Sequence, residues 1–125
     1  MARWVGIDLT DVEEIRAAVR VHGDRYLERV YTDAERCDCA TSPRRLAQCF
    51  AAKEATMKAL ACRERLPWHS VEVARDANGR PALALTGPAA ELADERGVAQ
   101  LAVSVSATAA HAIAVVVASS AASGG

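Results

Sequence analysis

The chain has 125 residues and a formal net charge of -1, with 51% hydrophobic and 25% charged residues. This length predicts one domain, and the charge gives no bulk attraction to nucleic acid or to a membrane. No run approaches the roughly 20 apolar residues that span a bilayer, and the N-terminus lacks a signal-peptide pattern, so we expect a cytoplasmic protein. Its 4 cysteines are then expected to be reduced thiols, and their spacing matches no zinc site.

The first half of the chain predicts one strand followed by helices. The strand is rich in β-branched and aromatic residues, and the first helix has Thr10 or Asp11 as its cap and Gly23 at its end. Further on, the sequence TDAE is a capping box, and Ser42 and Pro43 begin a long helix. In chain order these elements are a strand over 4–9 and helices over 12–22, over 24–31, from 32 onward, and from 43 to about 61.

After the long helix the hydrophobic period changes to two, which is typical of strands. The sequence ANG predicts a hairpin turn, Gly87 and Pro88 lead into a helix that Gly97 ends, and two more strands flank a polar turn. The elements are strands over 70–76, 80–86, 101–107 and 112–118 and a helix over 89–97. The predicted class is α+β, with a small antiparallel sheet that includes the first strand. We expect a single domain over 1–118 and a flexible tail over 119–125.

Two carboxylates stand out because their predicted surroundings are apolar. Glu54 falls about 40° from Phe50 on the apolar face of the long helix, and Asp8 lies at the end of an apolar strand. Simple structural roles would be an i, i+4 pair between Glu54 and Lys58 and an N-cap formed by Asp8. The alternative is a cation site, since a partly buried carboxylate is costly unless it is paired, and Mg²⁺ prefers oxygen ligands. Lysines beside such a site would suit phosphoryl chemistry.

Five segments, spread over most of the chain, carry the motifs of one enzyme family. They are GIDLTDVEEI at 6–15, RYLERVYTDAE at 25–35, FAAKEATMKAL at 50–60, WHSVEVARDANGRPALALTGPAAELADERGV at 68–98 and VSVSATAAHAIAVVVA at 103–118. Together they resemble the 4′-phosphopantetheinyl transferases, and most closely the small, trimeric holo-(acyl carrier protein) synthases. The resemblance is collinear over roughly residues 5–118, which makes it more specific than either the first or the third motif alone.

The resemblance implies an enzyme that moves the phosphopantetheine arm of coenzyme A onto a serine of an apo acyl carrier protein and releases adenosine 3′,5′-bisphosphate. It implies that Asp8 and Glu54 bind Mg²⁺ and that the catalytic Lys58 contacts the phosphates. The serine proton would pass to Glu54 or to a metal-associated water. The positions that match coenzyme A contacts of the family are Lys53, Gly79, Arg80, Pro81, Ser106 and Thr108. An ordinary hairpin turn is the alternative interpretation of the sequence NGRP.

The resemblance also implies a homotrimer with active sites at the subunit interfaces. The strand over 112–118 is apolar on both faces, which agrees with a covered surface. The chain departs from the family pattern at four places. The family has arginine at the position of Cys49, Gly-Thr-Gly at 61–63, histidine at the position of Ala107 and arginine at the position of Glu14. The first three departures affect expected contacts with coenzyme A. The last changes the charge of the helix that is expected to meet an acidic carrier.

Two other functions are compatible with these departures. One is a catalytically weak, trimeric homologue that binds a carrier protein. The other is a Mg²⁺ phosphohydrolase that cleaves coenzyme A with water in place of serine. Metal-dependent transfer would exclude the first, and nucleotide release without a carrier would support the second. None of the 3 histidines is expected to be catalytic.

Overall fold

The computed structural model describes residues 2–121, with side chains from residue 4 onward. Along this part of the chain, one strand is followed by a run of helices and then mainly by antiparallel strands, which is the segregated order of an α+β fold, as predicted. The elements are β1 (Ala2–Asp11), α1 (Val12–His22), α2 (Asp24–Val30), α3 (Asp33–Cys39), α4 (Pro43–Ala59), β2 (Val71–Arg75), β3 (Pro81–Leu85), α5 (Gly87–Glu95), β4 (Val98–Ala107) and β5 (His111–Ser120), with a 3-10 turn at Trp68–Ser70.

Local hydrogen bonds explain why the helices begin where the sequence predicts. The side chain of Asp11 accepts a hydrogen bond at the start of α1 and is the cap of that helix. Thr32 and Glu35 form a reciprocal capping box before α3, with bonds of 3.2 and 2.8 Å. Ser42 caps α4, and Pro43 occupies its first turn, where no backbone N–H is needed. Short polar side chains therefore define these helix starts.

The strands form two separate antiparallel sheets. One has the order β1-β5-β4, and the other contains only β2 and β3. The prediction of one sheet was therefore wrong: the β2–β3 hairpin meets the larger sheet through side chains, with Leu83 packed against the same core as Val98 and Leu101. β5 continues to Ser120, so the predicted tail begins inside this strand. Residues 122–125 of that tail lie outside the described residues.

The long helix α4 packs across the inner face of the three-stranded sheet. Its small side chains allow a close approach, and five of its alanines are fully buried: Ala47, Ala51, Ala52, Ala55 and Ala59. Gly6 of β1 faces the same helix, and a Cβ at this position would overlap the backbone carbonyl of Ala55. The two backbones can meet only because residue 6 has no side chain. Because side chains alternate along a strand, Asp8 shares this helix-facing side of β1 with Gly6.

The opposite face of the same sheet carries apolar side chains, and we call it the outer apolar face. Val5, Ile7 and Leu9 are 63%, 54% and 66% exposed. The members of this face are Val5, Ile7, Leu9, Ile113, Val115 and Val117. A contiguous exposed apolar patch is typical of an interaction surface. Between residues 2 and 121, the structure has no helix that is long and apolar enough to cross a membrane.

Candidate active site

Asp8 of β1 and Glu54 of α4 line one cleft of about 290 Å³. Their side chains are only 14% and 18% exposed. Asp8 accepts hydrogen bonds from Thr10 Oγ1 at 2.7 Å and from Lys58 Nζ at 3.1 Å. Lys58 also donates to the carbonyl of Ile7 at 3.0 Å. Lys58 therefore pairs with Asp8 across two elements rather than with Glu54 along the helix.

Glu54 instead pairs with Arg65, a residue that the sequence did not single out. The distance from Arg65 Nη1 to Glu54 Oε1 is 3.1 Å. The guanidinium carbon lies 4.7 Å from the centroid of the Trp68 ring, which packs in turn on Phe50 with centroids 5.1 Å apart. Arg65 is thus held between a carboxylate and an aromatic face. This pair depends on the path of the segment after α4, and no local sequence pattern predicts such a path.

The chemistry of this donor set suits a hard divalent cation. Asp8 and Glu54 offer carboxylate oxygens, and each is already balanced by a basic side chain that stands beside it. In the described chain there is no group of three or more His, Cys, Asp or Glu residues that could hold a metal. Mg²⁺ is commonly bound through one or two carboxylates together with water and substrate phosphates. Asp8 and Glu54 therefore fit Mg²⁺ as a pair of protein ligands.

Glu54 also lines a second cleft, of about 330 Å³, together with the basic residues Lys58, Arg63 and Arg65 and a second acidic residue, Glu64. Three basic side chains around one opening favour an anionic ligand. The cleft wall includes the segment where the resemblance predicts Gly-Thr-Gly. There Ala61 has a φ of 51°, in the left-handed region that normally favours glycine. The backbone of this segment thus adopts a turn of the kind glycine supports, although residue 61 is alanine.

Lys53 does not lie at either cleft, which corrects the prediction that it contacts coenzyme A. Its side chain is fully buried, and Nζ donates to Glu35 Oε1 at 2.6 Å and to the carbonyl of Val71 at 2.7 Å. Glu35 is equally buried, and its other carboxylate oxygen accepts from the N–H of Val73 at 2.7 Å. The pair joins α3, α4 and β2, so Lys53 has a structural role in this arrangement.

The other predicted coenzyme A contacts lie away from both clefts of the single subunit. Gly79, with a φ of 78°, and Arg80 form the exposed turn after β2, and Pro81 begins β3. Ser106 is exposed on β4. The hydroxyl of Thr108 accepts backbone hydrogen bonds inside the β4–β5 turn. Within the chain, the structure does not bring these five positions to Asp8 and Glu54.

Cys49, which stands at the position of a family arginine, is buried beside Cys39. The hydrogen bond between the two thiols raises the pKa of Cys49 well above its usual value and lowers the pKa of Cys39, and burial raises that of Cys49 further. Cys49 therefore remains a protonated thiol within the core. All four cysteines of the chain are free thiols in the structure.

Comparison with known proteins assigns this arrangement to one enzyme family. The family model of the 4′-phosphopantetheinyl transferase superfamily matches residues 4–116. The chain belongs to this superfamily. Among its relatives, the holo-[acyl-carrier-protein] synthase of Chloroflexus aggregans is 46% identical over 129 residues, which cover 90% of this chain and 92% of the relative. The predicted family and enzyme class, a phosphopantetheinyl transferase of the holo-(acyl carrier protein) synthase type, are thereby confirmed.

Solved structures of holo-[acyl-carrier-protein] synthases share the fold. The Helicobacter pylori protein, crystallised in complex with coenzyme A, is 30% identical and superimposes with a TM-score of 0.84, covering 92% of this chain and 99% of its own. The Neisseria meningitidis protein is 29% identical with a TM-score of 0.84, covering 95% and 99%. The whole phosphopantetheinyl transferase fold is therefore present in this chain.

Proposed function

We propose that this holo-(acyl carrier protein) synthase binds Mg²⁺ through Asp8 and Glu54 while it transfers the phosphopantetheine arm of coenzyme A to a serine of an apo acyl carrier protein. The observation that carries this assignment is the cleft in which the two carboxylates, from different elements, face the same space. The adjoining cleft supplies basic side chains for the phosphates of coenzyme A. Relatives named for this activity support the substrates, and one of them was crystallised with coenzyme A.

The transfer breaks the bond between the β-phosphorus of coenzyme A and the bridging oxygen of its diphosphate, and it forms a phosphodiester to the serine oxygen. Mg²⁺, when bound, offsets the negative charge of the diphosphate and polarises the leaving group. Lys58 is 53% exposed, so its ammonium can turn from Asp8 toward the departing adenosine 3′,5′-bisphosphate. The serine proton would pass to Glu54 or to a water in the cleft that Glu54 lines. The protein thus contributes positioning and charge compensation.

The reaction is tested by the intact mass of an apo acyl carrier protein after incubation with this protein, coenzyme A and Mg²⁺. We expect a mass gain of one phosphopantetheine arm, and we expect EDTA to abolish it because the carboxylate pair needs its cation. A gain that survives EDTA would contradict the metal assignment. If several carrier proteins bind but none of them gains mass, the protein is instead a catalytically weak homologue that binds carriers. Nucleotide release without a carrier would indicate hydrolysis.

We also infer a homotrimer in which the outer apolar face forms the subunit contact. An exposed sheet face of this composition is stabilised by removal from water. A shared interface would also account for the positions of Arg80 and Ser106, which lie away from the clefts of their own subunit. Under this proposal, the hairpin and β4 of one subunit complete the coenzyme A site of the next.

The substitution Val5→Glu tests this contact. It places a carboxylate on the outer apolar face, where burial without a partner is costly, so we expect light scattering to detect monomers and the transfer activity to fall with the trimer. The matched control is Val21→Glu, because Val21 is similarly exposed, at 69%, but lies on α1. That variant should remain a trimer. A fully active monomer of the Val5 variant would contradict the shared active site.

A further inference from the structure

The Glu54–Arg65 ion pair places a cation of the chain itself on one of the two proposed metal ligands. We infer that Arg65 holds Glu54 in the free enzyme and releases it when the diphosphate of coenzyme A arrives, so that Arg65 couples metal binding to binding of this substrate. The inference rests on the proposed function and assigns to Arg65 a positioning role within it. Four observations support this role.

The first observation is that the side chain of Arg65 is exposed enough to change partners. Its side chain is 58% exposed, whereas that of Glu54 is 18% exposed. The stacking on Trp68 keeps the guanidinium near the site without requiring the bond to Glu54. Rotation about the terminal bonds of the arginine can therefore move its charge from the carboxylate to a ligand while the ring contact persists.

The second observation is the pairing of charges around the two proposed metal ligands. Two carboxylates, Asp8 and Glu54, are matched by two cations, Lys58 and Arg65, at 3.1 Å each. A divalent cation that approaches Glu54 alone meets a guanidinium already on the same carboxylate, and like charges repel at this range. The free enzyme is therefore expected to bind a bare divalent cation weakly.

The third observation is that Arg65 already lines the cleft in which the phosphates of coenzyme A are proposed to bind. Arg65 and Glu54 line the same 330 Å³ cleft as Lys58 and Arg63. A diphosphate in this cleft can accept hydrogen bonds from Arg65, and a guanidinium suits paired phosphate oxygens. Once Arg65 contacts the phosphates, Glu54 is free for the metal, and the diphosphate supplies further negative charge. Each ligand then favours binding of the other.

The fourth observation separates this role from simple anchoring of the loop. The segment after α4 is fixed independently, because Arg96 Nη2 donates to the carbonyl of Ala61 at 3.0 Å and Leu66 is buried in the core. Loss of the Arg65 guanidinium should thus leave the segment in place. An effect of Arg65 substitution on metal binding would then report charge rather than misfolding.

The test measures Mn²⁺ binding, by the electron paramagnetic resonance of free Mn²⁺, with and without coenzyme A. For Arg65→Gln we expect Mn²⁺ alone to bind about five- to tenfold tighter, and coenzyme A to bind weaker by a similar factor in the presence of Mn²⁺. The charge control is Arg44→Gln, since Arg44 is exposed at the far end of α4. That variant should match the wild type in both measurements. Arg65→Lys, which keeps the charge, should retain most of the coupling.

Glu54→Gln separates failure of this inference from failure of the proposed function. If Glu54→Gln leaves Mn²⁺ binding unchanged, the proposed metal site is wrong. If Glu54→Gln removes Mn²⁺ binding while Arg65→Gln leaves it equal or weaker, the metal site stands and the role of Arg65 is overturned. Tighter Mn²⁺ binding to the Arg65→Gln variant, together with weaker coenzyme A binding, supports the coupling.

Discussion

Replacement of Glu54 by glutamine, or of Asp8 by asparagine, is expected to lower the transfer rate by roughly 10²–10³-fold while the fold is preserved. Each amide has the shape of the acid it replaces but lacks the negative charge that a Mg²⁺ ligand needs. The basic partners Lys58 and Arg65 are both more than half exposed, so water can solvate them after the substitution. The loss of folding stability in either variant should therefore be small.

Intact-mass kinetics at saturating Mg²⁺ measure the transfer rate of each variant. Circular dichroism and thermal melting test whether its fold is preserved. The matched control is Asp94→Asn, because Asp94 is an exposed acid on α5 that lines neither cleft at Glu54. Its transfer rate should equal that of the wild type. Full activity in the Asp8 or the Glu54 variant would contradict the assignment of these residues to the metal.

Replacement of Lys53 by methionine is expected to lower the free energy of unfolding by about 3–5 kcal/mol. The substitution leaves Glu35, which is 1% exposed, as a buried carboxylate without its cation. Domains of this kind are stable by only about 5–15 kcal/mol in total, so this loss is large. Urea unfolding at one fixed protein concentration gives the measurement, because the stability of the proposed trimer would depend on concentration.

Two further variants make the expectation about Lys53 specific. Lys58→Met changes the same residue type on the same helix, but Lys58 is 53% exposed, and such a pair contributes at most about 1 kcal/mol. This variant should lose activity and keep most of its stability. In the double variant Lys53→Met with Glu35→Gln, the buried charge is gone and a hydrogen-bond acceptor remains, so much of the stability should return. Wild-type stability of Lys53→Met alone would refute the structural role of the pair.

The two lysines of α4 show why part of the site could be predicted and part could not. In the sequence, Lys53 and Lys58 border the same apolar stripe of one helix, and the resemblance predicted a ligand contact for each of them. Five residues of helix turn them roughly 140° apart, so they leave the helix in different directions. Lys58 points to Asp8 at the end of the cleft, whereas Lys53 points to Glu35 in the interior. Only the packing of α3 and β2 decides which direction is buried.

The sequence by itself determined the order of helices and strands, the caps at Thr32 and Ser42, and the family, because these depend on local periodicity, short-range hydrogen bonds and collinear motifs. It also identified Asp8 and Glu54 as carboxylates in apolar surroundings. It left Thr10 and Asp11 open as the cap of α1, and the structure shows Asp11. Only the tertiary structure decided that the β2–β3 hairpin forms its own sheet and that Arg65 pairs with Glu54. Both outcomes depend on how the chain after α4 packs against the rest of the fold, and no local pattern contains that path.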